Sequence, residues 1–163
     1  MSYEGVGTPS DSGSSNNAYA TVAEAEDYFD GVLRKDAWVS ASSSDKLAAL
    51  IQATTAMDRL NFVGELADEE QTLQFPRNND TDVPDDIKFA CAEEALSLLD
   101  EKDPEIEFEM VSVPTAQFGQ LKTSMDTRQP PPHIIAGIMS IKAWRFLLHY
   151  LQDPAGARIA RVS

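Results

Sequence analysis

The chain has 163 residues, 42% of them hydrophobic, with a formal net charge of -14 and one cysteine, Cys91. This length supports one domain with a core and is short for two; a lone cysteine excludes an internal disulfide, and no apolar run approaches the roughly 20 residues of a membrane span. The sign of the charge opposes a basic phosphate-binding surface as the overall character of the protein.

The N-terminus lacks a basic region followed by an apolar run, so a soluble, non-secreted protein is expected. The charge is unevenly placed: residues 1–127 hold 8 Lys/Arg against 26 Asp/Glu, and residues 128–163 hold 5 against 1. An acidic body with a basic C-terminal segment suggests an electrostatically guided docking arm, chance variation in a short segment being the alternative.

Residues 1–18 are rich in Gly, Ser, Thr and Asn. Alone they bury too little to offset the entropy of ordering and read as a flexible tail, one that neighbouring molecules in an assembly would hold. A helical-bundle core is expected over 19–104. In YATVAEAEDYFDGVL, Thr21 and Glu24 make a capping box, and Val22, Ala25, Phe29 and Leu33 share a face. Gly31 falls in the last turn. Trp38 reads as a buried aromatic closing the core, with an interface anchor as the alternative.

A central helix is expected over Ser44 to Phe62. Leu47, Leu50, Ile51, Thr54 and Met57 form one stripe, and Ala49, Ala53, Ala56 and Leu60 form a second. Ser43 or Ser44 is the expected cap. Asn61 to Arg77 is a polar connection whose Asp68, Glu69 and Glu70 read as a solvated turn or helix start. Asn78 to Asp82 has alternating Asp and Asn oxygens, but Val83 stands where a calcium loop needs glycine and Phe89 where it needs the closing Glu, so it reads as a turn. Pro84, Asp85 and Asp86 suit a helix start. That helix should reach Leu99, with Ile87, Cys91, Ala95 and Leu98 on one face and Cys91 a small buried hydrophobe.

Over 105–132 the pattern turns to alternation, and a β-hairpin or extended insertion with a Pro-rich linker is expected. Glu105, Glu107 and Glu109 lie on its acidic face, which could line a DNA channel or simply face solvent. Residues 133–163 read as a C-terminal helix, from His133 to Leu151 with a break near Gly137 and Ser140, followed by a docking arm. His133 and His149 are too far apart for ligands on adjacent turns, and no paired acid spacing completes a site, so no metal or cofactor is expected. Without a nucleotide-binding glycine loop, nucleophile elbow or paired-His motif, the chain does not read as an enzyme. The fold class expected is mainly α: a small helical bundle with a β-hairpin or extended-arm insertion and extended tails at both ends.

The run AYATVAEAEDYF, then Ala37 and Trp38, DKLAALIQATTAMDRLNF and the closing LQFPR at Leu73 to Arg77 together resemble the head-tail connector, or adaptor, proteins of tailed phages. Some of these carry the label DnaT-like single-stranded DNA-binding protein. The resemblance covers mainly Tyr19 to Leu99. It implies a helical bundle that assembles as a ring of twelve copies beneath the portal in the virion neck, meeting the tail or the next neck protein, while double-stranded DNA passes through its lumen without specific binding and no membrane is involved. It implies a C-terminal arm on the portal, here Arg145, Arg158, Ile159, Arg161 and Val162. Assembly would take place in the host cytoplasm. The alternative label implies a replication accessory protein that binds single-stranded DNA, which calls for a basic groove interleaved with aromatics. An acidic lumen suits a passing genome because it repels phosphate.

Overall fold

A computed structural model describes residues 17–102, 106 and 130–153. Within them the fold is mainly helical: α1 (Val22–Asp30), α2 (Asp36–Ser40), α3 (Ser43–Met57), α4 (Asp85–Leu99), α5 (Pro132–Ile135) and α6 (Ile141–Leu147). Among the described residues there is no strand, only two isolated antiparallel bridges, Phe62 with Leu151 and Leu66 with Arg77. The β-hairpin or extended arm expected over 105–132 lies outside the described residues except at Ile106 and at Pro130 to Pro132, the last of which opens α5. Both terminal tails lie outside them as well, apart from Asn17, Ala18 and Asp153 and the residues before it.

The capping box forms as the sequence predicts. Glu24 N–H donates to Thr21 Oγ1 at 3.2 Å, and Thr21 N–H donates back to Glu24 Oε2 at 2.8 Å. Gly31 caps the other end. Because α1 stops at Asp30, Leu33 leaves the helical face it was expected to share and is 86% exposed. The central helix also differs from expectation. It is capped by Ser42, whose Oγ accepts from Asp45 N–H at 3.1 Å, and it ends at Met57. Phe62 lies beyond it, drawn into the bridge with Leu151. Ala49, Leu50, Ala53, Thr54 and Met57 form its buried face, and Leu47 at its start is half out of the core.

The element at the centre of the packing is α4, which is buried without interruption from Ala90 to Ser97. Eight consecutive buried residues exceed two turns, so every face of this stretch is covered. Packed around it are α1, α2, α3 and α6. Ala90, Cys91, Ala92 and Ala95 keep its surface narrow enough for that many neighbours. The C-terminal segment joins the same core through Ile138, Ala143, Trp144, Leu147 and Leu151. Its single expected helix divides where a break was foreseen: Gly137 takes φ +81°, and Ser140 caps α6 by accepting from Ala143 N–H at 3.2 Å. The helix stops at Leu147, short of the expected Leu151, whose backbone is taken up by Phe62.

Candidate functional site

The signature stretches of the sequence meet at one place. Tyr19 is fully buried: its N–H donates to Thr54 Oγ1 on α3 at 3.0 Å and its hydroxyl to Asp58. Burial, then the Asp58 carboxylate, pushes the Tyr19 phenol well above its ordinary pKa. The same Asp58 oxygen accepts from Gln74 N–H at 2.7 Å. Phe75 fills the centre, its ring centroid 5.8 Å from Tyr19, 4.7 Å from Phe62 and 5.6 Å from Tyr150, each edge-on. The Phe75–Pro76 peptide is cis. Arg77 closes the LQFPR run by turning inward. Its Nε donates to Val63 O at 3.0 Å, Nη1 to Gln74 O and Oε1 at 3.3 and 2.7 Å, and Nη2 to Phe62 O and Gly64 O. Gly64 takes φ +88°, a conformation that favours glycine, and a Cβ there would push on the Asn78 side chain. Three of the stretches that carried the family resemblance thus form a structural knot joining the start of α1, the end of α3 and the loop before α4, while Ala37 and Trp38 lie on α2.

Beside this knot opens a cleft of about 460 Å³, lined by Glu24, Asp27, Asp82 and Lys88 among others. Lys88 lies 2.7 Å from Glu24. Desolvation pushes the Glu24 carboxyl up, but the hydrogen bonds from Lys88 and Thr21 outweigh it and leave the group below its usual range. Lys88, held by the Glu24 bond, is raised in turn. With the one lysine so engaged, the cleft presents carboxylates and disfavours phosphate. Along the same α1–α4 seam, Tyr28 stacks on Phe89 at 4.7 Å and Phe146 meets both edge-on. Tyr28 Oη donates to Glu93 Oε1 at 2.8 Å, and burial followed by that carboxylate raises the phenol. These rings spend their faces on one another, so they close the core's edge and offer bases no open stacking platform.

Of the residues assigned to the docking arm, Arg145 lies exposed on α6, while Arg158, Ile159, Arg161 and Val162 lie outside the described residues, as do Glu105, Glu107 and Glu109. Cys91 is wholly buried, its thiol pushed up to about 11 by desolvation, which suits a packing residue and no nucleophile. His133 is buried and its pKa lowered by desolvation, and His149 is exposed. Trp38 is buried, in a short helix not foreseen from the sequence. Sequence reasoning missed three buried charges: Arg77, Glu93, which accepts from Tyr28 Oη, and Glu94, which is fully buried and accepts from Met139 N–H at 3.0 Å and Ser140 N–H at 2.8 Å. The available signal was a Glu-Glu pair inside an otherwise apolar helix.

Among the described residues no group of three or more His, Cys, Asp or Glu is placed to hold a metal ion, and no helix is long and apolar enough to cross a membrane. Fold and surface define a small helical module whose buried polar side chains brace backbone. It belongs to the family described as "Putative DnaT-like ssDNA binding protein", whose profile matches residues 8–151. No curated protein and no solved structure matches the chain.

Proposed function

We propose that the protein is a structural virion component, a head-tail connector or adaptor that forms a ring of twelve copies beneath the portal, contacts the tail or the next neck protein, and lets double-stranded DNA pass. The observation that carries this reading is the state of its lysines and of Arg77, with Arg34, Arg59 and Arg145 left exposed. All five lysines among the described residues lie between 2.7 and 3.8 Å from a carboxylate oxygen, and Arg77 is enclosed by carbonyl groups. An acidic body whose lysines are already paired has little to offer a phosphate backbone, as passage without sticking requires. The reading also draws on the connector-like order of the signature stretches. It places Arg145, Arg158, Ile159, Arg161 and Val162 on the portal and assigns Glu105, Glu107 and Glu109 to the channel. Negative-stain imaging of the chain mixed with portal should show rings seated on it, and a chain that stays monomeric and ignores portal would overturn the reading. Deleting residues 158–163 should abolish attachment.

The family description favours a second reading, single-stranded DNA binding in replication. It requires salt-sensitive retention of an oligonucleotide, and absence of a shift at low salt removes it.

A further inference from the structure

Two exposed apolar patches lie at opposite ends of α3. Before its start, Leu33 is 86% exposed on the α1–α2 connection and Val39 is 65% exposed on α2, with Leu47 at 42% in the first turns of α3. After its end, Val63 and Leu66 are 54% and 38% exposed on the loop that carries Gly64. The 15 residues of α3 separate the two by about 22 Å, at about 1.5 Å per residue. The rims differ in charge. From Asp30 to Lys46 there are three cations and three acids, with Arg34 exposed between Leu33 and Lys35 and, among the described residues, without a carboxylate partner. From Asn61 to Glu70 there are four acids, Glu65, Asp68, Glu69 and Glu70, all exposed, and no cation.

We propose that these patches are the two halves of a head-to-tail contact between copies of this chain: the Leu33–Val39 corner of one copy, with Arg34, seats on the Val63–Leu66 loop of the next, against its carboxylates. The occupant is a second copy because both patches are apolar and their rims are complementary, an outward cation on one and an acidic rim on the other. The loop does not suit itself, since its isologous pairing would set four carboxylates against four. A contact that uses two different patches on each subunit propagates, and it closes into a ring when the rotation allows. The inference rests on the ring reading above and supplies the surfaces it needs. Val63 is backed by the fold: its N–H donates to Tyr150 O at 2.8 Å, and Arg77 Nε holds its carbonyl, so the loop is presented on a braced base.

Two full-length variants test it. The first is Leu33→Ser, Arg34→Glu and Val39→Ser; the second is Val63→Ser, Glu65→Lys and Leu66→Ser. All six positions are exposed, so helical circular dichroism should match the parent. By sedimentation velocity at low salt, with and without portal, the parent should form closed oligomers and each variant alone should remain a monomer. Mixed in equal amounts, the variants should form a dimer and nothing larger, because one intact half remains on each. Variants that still assemble into rings would overturn the assigned surfaces while leaving the ring reading intact. A mixture that stays monomeric would overturn the pairing. A parent that is monomeric even with portal would overturn both.

Discussion

Of the three buried charges among the described residues, Glu93 meets Lys142 at 3.5 Å, whereas Glu94 and Arg77 are not paired with an opposite charge. Glu94 projects from the middle of α4 and serves the backbone N–H groups of Met139 and Ser140, at the point where the chain turns into α6. Arg77 ends the loop before α4 and serves the backbone carbonyls of Phe62, Val63, Gly64 and Gln74. One is an anion on amides and the other a cation on carbonyls. Each stands where irregular backbone is enclosed and no helix or sheet supplies the partners of its polar groups. The difference lies in what backs them: Glu94 sits on a helix enclosed by four others, whereas Arg77 sits in a loop and must be its own scaffold.

The largest effect should come from truncating these charges. Glu94→Ala strands two amides and opens a cavity in α4, and a loss of about 3 kcal/mol is expected in urea unfolding. Arg77→Met strands several carbonyls that lie closer to solvent, so about 2 kcal/mol is expected. The order matters more than the values. If Arg77→Met costs more, the loop and not α4 is the principal brace; native-state hydrogen exchange at Met139 and Ser140 should accelerate in Glu94→Ala, which removes their acceptor, more than in Arg77→Met. Conservative replacements sharpen the contrast. Arg77→Lys keeps the charge but loses the fork that reaches four residues, so it should recover little of the loss. Glu94→Gln keeps one acceptor and should recover more, leaving a loss of about 1 to 2 kcal/mol.

How far the sequence could be read follows the same division. The capping box at Thr21, the start of α4 at Pro84 and Asp85, the burial of Cys91 and the break at Gly137 and Ser140 were legible because each is a local rule with a local signal. The centrality of α4 was not. Glu93 and Glu94 make it look half solvated, since a carboxylate inside two turns of apolar residues is ordinarily the outward face. The enclosure of Arg77 was not legible either, because a residue after a polar loop carries no local sign of burial until Phe62, Val63 and Gly64 are folded around it. The candidate surface was legible only as net charge. That the lysines are already engaged depends on pairs such as Lys88 with Glu24 and Lys46 with Glu26, separated by 64 and 20 residues, which no spacing rule reports.

A smaller change separates the apolar from the polar part of the knot. Tyr19→Phe keeps the ring on Phe75 but removes the hydroxyl that donates to Asp58, and Asp58 retains Gln74 N–H. A loss of about 1 kcal/mol is expected. Much more would mean that the Tyr19 hydroxyl, and with it the loop, is a principal support.

The least change, and the one that most cleanly tells the two charges apart, is their response to pH. Burial raises the Glu94 carboxyl above its ordinary range, with the Met139 and Ser140 amides pulling it partly back. The native state therefore holds this proton more tightly than the unfolded chain, and stability must fall as pH rises from the ordinary carboxylate range through the higher native value. Glu24 acts in the opposite sense. Its native carboxyl lies below the usual range, so its contribution is present above that range and is lost as pH falls through the native value. The difference between parent and Glu94→Gln removes the Glu24 part. Measured by urea unfolding between pH 4 and pH 8, that difference should shrink steadily as pH rises, because the parent increasingly bears a buried charge and the variant does not. Arginine keeps its charge throughout this range, so the difference between parent and Arg77→Met should stay flat. A flat Glu94 difference would mean that the two amides compensate fully for burial, making Glu94 as complete a backbone brace as Arg77.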